Sequence, residues 1–370
     1  MFHKKNLSSF LVPFLIIFCV SISAAQGQNT ILIDGFETPF GTLVCGGLRS
    51  SLIDFSAEVE QFNFTAQAGD LISLTLVETS NWGGLGGSAD ARATLISPSG
   101  NEEVIFDSNS QETIVLPESG TYVVRVNAND LVSTGSYNLG LSCLLPASPP
   151  PVTLSCGGLE SGLINTPGEV ELFDFTAQAG DLISLTLVES SNDWGGLGGS
   201  ADARATLFSP SGNEEVTFDS NSQETIVLPE SGTYVVRVNA NNLVSTGSYN
   251  LGLSCLLPAS PPPVTLSCGG LESGLINDPG EIELFDFTAQ SGDQITLTLA
   301  ETSDWGGLGG SADARATLFR PSGLPEIITF DSPSQQTLTL PEESGTYMVR
   351  VNANNLVSTG SYNLSLSCLP

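Results

Sequence analysis

The sequence predicts an all-β protein made of three tandem, jelly-roll-like antiparallel β-sandwich domains of about eight strands each. Three observations predict this fold. The string CGGL recurs at Cys45, Cys156 and Cys268, at spacings of 111 and 112 residues, so the chain is a threefold repeat. Within each repeat, apolar and polar residues alternate in short runs separated by Gly, Pro, Asn and Ser. No run has apolar residues at helical spacing over three turns.

Two further strings mark the same repeats. LSCL closes each repeat at its second cysteine, and LLPASPPPVTLSCGGLESGLIN, beginning at Leu144 and Leu256, joins successive repeats. Its proline triplets favour an extended, semi-rigid spacer. These landmarks divide the chain into a signal peptide (1–25), a leader (26–41), three β-sandwich repeats (42–146, 152–258 and 264–370) and two proline-rich linkers (147–151 and 259–263).

The middle repeat shows the strand pattern most clearly. Its apolar runs are short and are bounded by turn sequences such as Pro210-Ser211-Gly212. Candidate strands are Val152–Cys156, Glu169–Ala177, Asp181–Ser190, Ala203–Ser209, Glu214–Phe218, Glu224–Leu228, Thr233–Asn239 and Ser248–Cys255.

Differences between the second and third repeats support a period of two. Ile183, Leu185 and Leu187 keep their apolar character in the third repeat. The intervening positions change, with Leu182, Ser184 and Val188 becoming Gln294, Thr296 and Ala300. We therefore expect the first set to be buried and the second to face solvent. By the same alternation, the arginines of the seventh strand are predicted to face outward and to pair with surface acids: Arg125, Arg237 and Arg350.

The cysteines predict one disulfide bond within each repeat. By parity, both cysteines of a repeat are expected to point inward, one from its first strand and one from its last. The predicted pairs close loops of about 100 residues, which the chain-entropy description associates with about 4–5 kcal/mol. The alternative pairing across each linker leaves Cys45 and Cys368 single. The predicted bonds are Cys45–Cys143, Cys156–Cys255 and Cys268–Cys368.

Residues 1–25 are typical of a secretory signal, with Lys4 and Lys5 ahead of an apolar run and a small-residue exit at Ala25. Lipid attachment at Cys19 is the alternative, disfavoured by the bulky Phe18 before it. The apolar run is shorter than the roughly 20 residues of a spanning helix, and no later segment is long and apolar enough to span. We therefore predict a secreted protein, whether extracellular, periplasmic or on the cell surface.

Removal of that segment leaves 40 acidic residues, eight arginines, and no lysine or histidine. This composition excludes Ser-His-Asp and Cys-His catalysis, Schiff-base chemistry and imidazole metal sites from the mature chain. So negative a surface also repels nucleic-acid backbones. Catalysis by paired carboxylates would need two acids apposed in a cleft, and no pattern marks such a pair. The sequence therefore predicts a protein that is not an enzyme.

Several strings of the middle repeat, with close variants in the other two, are similar to those of the bacterial pre-peptidase C-terminal domain family. They are LFDFTAQAGD, ISLTL, ATLFSPSG, LPESGTYVVRV and GSYNLGLSC, in that order. The resemblance covers nearly the whole mature chain. It implies an eight-stranded jelly-roll-like sandwich and an accessory role beside secreted peptidases; some members bind matrix protein and calcium. This chain carries no peptidase domain, and the calcium-site linker motif of the collagenase modules is not evident.

The block WGGLGGSADARATL suggests a ligand-binding site in each repeat. An exposed indole beside a glycine-rich loop can stack on a sugar ring while Asp and Arg bind its hydroxyls. The structural alternative is a tryptophan that closes one end of the sandwich over its core. The candidate residues are Trp82, Asp90 and Arg92, with Trp194, Asp202 and Arg204, and Trp305, Asp313 and Arg315.

Acidic clusters suggest calcium as a candidate cofactor, because Ca²⁺ binds carboxylate, amide and carbonyl oxygens. The alternative is a solvated acidic surface that keeps a secreted protein soluble. The first repeat carries Glu58 and Glu60 but has Asn63 in place of the aspartate. The candidate ligands are Glu169, Glu171 and Asp174, and Glu281, Glu283 and Asp286.

These observations predict a secreted, non-catalytic binding or adhesion module for a polymeric ligand, either a polysaccharide or a matrix protein. Repetition would raise avidity for such a ligand. Two alternatives stay open: a structural spacer or surface-layer component, and an accessory array that works with a secreted peptidase.

Overall fold

The structure is a computed structural model that describes residues 41–80, 82, 90–190, 194, 202–307 and 312–369. Each of the three repeats folds into two facing β-sheets, so the predicted fold class of tandem β-sandwiches is confirmed. Across these residues every regular element is a strand. None of them forms a helix able to cross a membrane.

Each sandwich contains eight longer strands and two short ones. In the first they are β1 Gly41–Thr42, β2 Gly47–Ile53, β3 Glu60–Ala66, β4 Leu71–Glu78, β5 Ala91–Ile96, β6 Glu102–Asp107, β7 Ser110–Val115, β8 Gly120–Ala128, β9 Gly135–Leu145 and β10 Ala147–Ser148. In the second they are β11 Val152–Thr153, β12 Gly158–Ile164, β13 Glu171–Ala177, β14 Leu182–Glu189, β15 Ala203–Phe208, β16 Glu214–Asp219, β17 Ser222–Val227, β18 Gly232–Ala240, β19 Gly247–Leu257 and β20 Ala259–Ser260. In the third they are β21 Val264–Thr265, β22 Gly270–Ile276, β23 Glu283–Ala289, β24 Gln294–Glu301, β25 Gly306–Gly307, β26 Ala314–Arg320, β27 Gly323–Asp331, β28 Ser334–Thr339, β29 Gly345–Ala353 and β30 Ser358–Leu369.

The strand order is that of a jelly roll. In the first sandwich, one sheet has the order β2-β9-β4-β7 and the other has the order β3-β8-β5-β6. Within both sheets the long strands pair antiparallel, and only the two-residue β1 lies parallel to its neighbour. The second and third sandwiches repeat this order. We call the β2-β9-β4-β7 sheet and its equivalents the trailing sheets, and the other three the leading sheets.

Each sandwich has its own hydrophobic core between its two sheets. In the second, Ile183, Leu185 and Leu187 of β14 are each at most 1% exposed, which confirms the buried face predicted for that strand. Phe175 stacks on Tyr234 across β13 and β18, with ring centroids 5.4 Å apart. Apolar residues at alternate positions of both sheets thus form one closed interior per repeat.

One of the eight long strands was not predicted, and a predicted one is shorter than expected. β12 has the sequence GLESGLI, whose glycines and serine are typical of a turn, yet all seven residues pair with β19. The expected first strand from Val152 to Cys156 is reduced to two residues, with Val152 half exposed. A turn at Cys156–Gly157 separates the two strands. The long partner β19 imposes extended backbone on a segment with little strand propensity of its own.

The disulfide pairing within each repeat is confirmed. Cys45 bonds to Cys143, Cys156 to Cys255 and Cys268 to Cys368, each pair with Cα atoms 5.3 Å apart. The expectation that all six cysteines point inward is wrong. Cys143 and Cys255 are partly buried against their cores, whereas Cys368 is exposed. The first cysteine of each pair sits in the turn before the second strand, at the end of the sandwich, where the core stops.

Successive sandwiches pack directly against one another. The outer face of each trailing sheet lies against the outer face of the next leading sheet, and we call these two contacts the first and second joints. Their apolar centres correspond position by position. Leu71, Leu144, Phe208 and Val235 form the first centre, and Leu182, Leu256, Phe319 and Met348 form the second.

These joints overturn one solvent-facing prediction. Leu182, Ser184 and Val188 are only 2%, 0% and 0% exposed, because the third sandwich covers the outer face of β14. At the corresponding positions of the third sandwich, Gln294 is exposed and Ala300 is half-buried, but Thr296 is only 6% exposed, so the prediction is wrong there too. No further sandwich covers this trailing sheet in the described chain, which fits the exposure of Gln294.

The linkers are part of the sandwiches. Ala147 and Ser148 turn back and pair antiparallel with β9, and Ala259 and Ser260 do the same with β19. The proline triplet then runs past the turn that carries the first cysteine, where a Cβ on Gly46 would come within 2.5 Å of Pro149. The prolines thus lie against the first joint, and no free spacer separates the sandwiches.

Candidate ligand-binding site

The three tryptophans are buried. Trp82, Trp194 and Trp305 are only 6%, 8% and 5% exposed and belong to the cores. Each indole Nε1 donates a hydrogen bond to a backbone carbonyl at the start of the last long strand, as Trp194 does to Ser248 O at 2.9 Å. The indoles therefore offer no face on which a sugar could stack, and their geometry is that of a lid over the core.

The glycine before that serine explains the close fit. A Cβ on Gly247 would lie 2.6 Å from the Trp194 ring, and Gly135 and Gly360 are as close to Trp82 and Trp305. Only a residue without a side chain lets the ring approach the strand at this distance. The Gly-Ser-Tyr sequence and the tryptophan are thus two halves of one packing arrangement.

The aspartates and arginines of the same block lie apart from the indoles. Arg92 sits between the core residues Ala91 and Ala93 and so points to the opposite face of its sheet. Its Nε donates to Asp107 Oδ1 at 2.7 Å, and Arg204–Asp219 and Arg315–Asp331 repeat this pair at 2.7 and 2.6 Å. Asp90 and Asp202 are exposed and Asp313 is half-buried. The predicted Trp-Asp-Arg constellation is therefore not assembled.

Four of the six candidate calcium ligands have other partners, whereas Asp174 and Asp286 each have one buried carboxylate oxygen, Oδ1, without a hydrogen-bond partner. Glu169 Oε2 accepts hydrogen bonds from the backbone N–H groups of Asn165 and Thr166, at 2.7 and 2.9 Å, and so closes a turn. Glu171 accepts a short hydrogen bond from the Tyr249 hydroxyl. Over the described ranges, no three acidic, histidine or cysteine side chains converge as a metal site. The same arrangement recurs in the other sandwiches, where Glu58 and Glu281 close the turn and Glu60 and Glu283 accept from Tyr137 and Tyr362.

Burial raises the pKa of Glu171 above its usual value, and the nearby Glu169 charge adds to this, while the Tyr249 hydrogen bond opposes it. A carboxyl whose pKa is higher in the folded state contributes stability that is complete at low pH and is lost as the pH rises through that pKa. Glu283 has a raised pKa for the same leading cause. We therefore expect the thermal midpoint to rise when the pH falls from neutral toward mildly acidic values.

The double variant Glu171→Gln/Glu283→Gln tests this expectation. Glutamine keeps a hydrogen-bonding oxygen but carries no charge, so the variant should unfold at a higher temperature at neutral pH and show a shallower pH dependence. Differential scanning calorimetry across this pH range measures both. Glu112→Gln, on the partly exposed strand β7, controls for the removal of a surface charge. A variant with the same pH slope as the parent protein would contradict the assignment.

The seventh-strand arginines depart most clearly from the sequence prediction. Arg125 is exposed as expected, but Arg237 and Arg350 are only 7% and 8% exposed. Both lie inside the joints, because the preceding sandwich covers the face to which they point. Arg350 donates to Ser184 Oγ at 3.3 Å and Thr225 Oγ1 at 3.1 Å, both in the preceding sandwich. Arg237 makes the equivalent bonds to Ser73 and Thr113.

These two arginines have no acidic partner. The ion pairs found among the described residues involve Arg92, Arg204 and Arg315. Arg237 and Arg350 instead lie over the rings of Phe208 and Phe319, with 5.2 Å from guanidinium carbon to ring centroid. Burial lowers the pKa of each to about 10. A buried cation bound only to hydroxyl groups and a ring contributes little net stability, because desolvation offsets its interactions, so packing alone does not explain it.

A polar pocket of about 330 Å³ opens beside Arg350 at the second joint. Asn352 in its wall is only 3% exposed, and its Oδ1 has no hydrogen-bond partner in the structure. The Arg350 Nε is likewise unpartnered. Side chains from both sandwiches line this pocket, which we call the arginine pocket: Gln223, Arg315, Glu326, Arg350, Asn352 and Asn354.

The first joint carries the same side-chain set. Arg237 Nε and Asn239 Oδ1 are again buried without partners. The corresponding residues are Gln111, Arg204, Glu214, Arg237, Asn239 and Asn241. Sequence reasoning missed this set because it placed the arginines in solvent. The apolar outer-face residues Leu182 and Phe208 were the signal that something covers these sheets.

A second, smaller pocket recurs at both joints. At the first joint it is about 220 Å³ and is lined by Pro149–Pro151 with Glu171 and Phe173. At the second joint it has the same volume, with Pro261–Pro263, Glu283 and Phe285 in the equivalent places. Its walls are mostly apolar, and each glutamate already accepts a hydrogen bond from tyrosine. The arginine pocket therefore remains the stronger candidate.

Comparison with known proteins gives no family assignment. No known family matches the sequence, and no curated protein does so at a significant level. Among solved structures, the CUB1-EGF-CUB2 region of human MASP-1/3 is 10% identical with a TM-score of 0.21, covering 57% of this chain and 99% of that one. Tripeptidyl peptidase 2 is 11% identical with a TM-score of 0.21, covering 87% of this chain and 34% of that one.

Proposed function

We propose that this protein is a secreted, non-catalytic array that binds a hydroxyl-rich polymer, with a polysaccharide as the first candidate and a matrix protein as the second. The observation that carries the proposal is Arg350, a buried arginine without an acidic partner in the wall of a polar pocket, whose environment Arg237 repeats at the first joint. A ligand that accepts hydrogen bonds from the guanidinium group would explain why the charge is kept there.

The lining of the arginine pocket suits neutral hydroxyl groups. Arg315 is already paired with Asp331, and Glu326 lies across from Arg350, so the site carries no large excess of either charge. Guanidinium and amide N–H groups can donate to sugar oxygens, while carboxylate and amide oxygens can accept from sugar hydroxyls. Such a mixture of donors and acceptors distinguishes a saccharide site from a phosphate site, in which cations dominate.

Repetition favours a polymeric ligand. Two sites on one chain turn the second binding event into an intramolecular one, which raises avidity without any new contact. The likeness to pre-peptidase C-terminal domains supports an accessory extracellular role, and the three disulfide bonds are compatible with an oxidising compartment. Direct packing at both joints favours a structural spacer as the second candidate function.

Binding to insoluble polysaccharides and to collagen tests the proposal. The variant Arg237→Met/Arg350→Met keeps the stems that pack on Phe208 and Phe319 but removes both guanidinium groups. We expect it to unfold within about 1 kcal/mol of the parent protein, because a buried unpaired charge contributes little net stability. Its retention on the polymer that the parent protein binds should fall by at least about tenfold.

Arg49→Met is the matched control, since Arg49 is exposed and belongs neither to the lining of the arginine pocket nor to the corresponding residues of the first joint. It should bind as the parent protein does. Equal retention of the double variant would show that the arginine pockets are not the binding sites. Failure of the parent protein to bind any polysaccharide or collagen would instead support the spacer function.

A further inference from the structure

The two ends of the array carry the two halves of a joint. The outer face of the first leading sheet, which we call the front face, corresponds to the faces that carry Arg237 and Arg350. The outer face of the last trailing sheet, the rear face, corresponds to the faces that receive those arginines. Among the described residues no other sandwich covers either face.

The residues that make the polar contacts of the joints have counterparts on these faces. Arg125 on the front face is exposed, and the two hydroxyls that would receive it are Thr296 and Thr337 on the rear face. Those hydroxyls lie side by side, 2.8 Å apart. At the second joint, Ser184 and Thr225 form the same pair, 3.3 Å apart, and accept from Arg350.

The groups that form a side-chain-to-backbone hydrogen bond at the joints also have counterparts on the end faces. At the joints, the Asn138 side chain donates to Pro167 O at 2.8 Å, and Asn250 donates to Pro279 O at 3.0 Å. The corresponding groups at the two ends are the half-buried Asn363 on the rear face and the carbonyl of the exposed Ser56 on the front face.

The remaining differences are matched in pairs. Leu71 and Leu172 meet in the first joint, and Leu182 and Leu284 in the second. The residues at these positions on the two end faces are both glutamine, Gln294 and Gln61. A leucine contact is thereby replaced by two amides that can hydrogen-bond to each other. Gln61 is buried in the single chain, so this bond requires a side-chain rotation of the kind common at interfaces.

A second matched pair concerns volume. At the joints a valine of the trailing sheet faces a turn glycine, and a Cβ on Gly280 would lie 2.9 Å from Val188. The front face has Ala57 at the glycine position, with the same positive φ, and the rear face has the smaller Ala300 at the valine position. Ala57 adds one methyl group to the front face, and Ala300 lacks two methyl groups of the valine on the rear face, so the added volume has space to occupy. Polar capping of free ends accounts for the glutamines but not for this exchange.

We propose that the front face of one copy of this chain binds the rear face of another, so that the protein associates head to tail. Because the two faces differ, the contact leaves one free face at each end of the assembly, and further copies can add. With glutamines in place of the leucine pair, the contact buries less apolar surface than an internal joint, so it should form reversibly with concentration.

Sedimentation velocity on the secreted protein and two single-face variants tests this proposal. Arg125→Glu places a carboxylate on the front face and leaves the rear face intact, whereas Thr337→Glu does the reverse; both residues are exposed on strands. We expect the parent protein to pass beyond dimers as its concentration rises, and each variant to remain monomeric alone. An equimolar mixture of the variants should form dimers and nothing larger, because it contains one intact face of each kind.

The exposed Arg49→Glu, off both faces, controls for the loss of a positive charge and should associate like the parent protein. Far-ultraviolet circular dichroism of each variant confirms folding. A parent protein that is monomeric at every concentration, or that stops at a dimer, would overturn the proposal. Assembly that persists in both single-face variants would overturn it too.

Discussion

Replacing Trp194 with alanine is expected to lower the free energy of unfolding of the middle sandwich by about 3–5 kcal/mol. The indole is 8% exposed, packs within the core and lies against Gly247, so its removal leaves a cavity that the surrounding strands cannot close. The variant also leaves Ser248 O without the hydrogen bond that it accepts from the indole.

Chemical denaturation followed by circular dichroism measures this effect. Val227→Ala is the control, because Val227 is 48% exposed and its truncation should change the unfolding free energy by less than about 0.5 kcal/mol. Iodide quenching of the parent protein gives an independent readout, since three buried indoles should all be protected. A loss below about 1 kcal/mol in Trp194→Ala, or free access of iodide, would contradict the lid interpretation.

Removal of one disulfide bond should have a similarly large effect. The Cys156–Cys255 bond links residues 99 positions apart. Opening a loop of that size restores chain entropy to the unfolded state, so Cys156→Ser/Cys255→Ser should lose about 4 kcal/mol of stability. Because Cys156 and Cys255 are only half-buried, their replacement by serine leaves little empty space. The loss of stability therefore measures the effect of the crosslink itself.

Thermal unfolding of this double variant against the parent protein measures the loss. The equivalent variant in the last sandwich is Cys268→Ser/Cys368→Ser, which opens a loop of nearly the same length between two exposed cysteines. It should lose a comparable amount, because the entropic effect depends on loop length rather than burial. Reactive thiols in the purified parent protein, or no change in midpoint in either variant, would refute the pairing.

Most of the fold was predictable because period-two alternation is a local property of the chain. Ile183, Leu185 and Leu187 show how far this goes, since both their strand and their face were inferred from sequence. β12 is a strand that alternation did not predict. Its seven residues contain two glycines and a serine, and only pairing with β19 makes them a strand. Strand pairing is a non-local contact, and propensity carries no trace of it.

The candidate site was harder to predict, for a related reason. Alternation correctly placed Arg237 on the outer face of its sheet, but an outer face is solvent-exposed only if no other body covers it. The second body here is the preceding sandwich, whose Ser73 and Thr113 lie far away in sequence. The sugar-stacking prediction for the tryptophans was wrong for the opposite reason, because it placed buried side chains in solvent. The sequence around each tryptophan is typical of a sugar-binding loop. The close packing of the Trp194 ring against Gly247 is visible only in the three-dimensional structure.

The apolar centres of the joints also bear on how the protein can be dissected. Cutting the chain at the first proline triplet would separate Leu144 from Phe208 and expose both to solvent. Cutting at the second would do the same to Leu256 and Phe319. An isolated middle repeat would expose both kinds of surface at once and would tend to aggregate. The three sandwiches are therefore best kept in one chain, with the role of each tested by point substitution rather than by truncation.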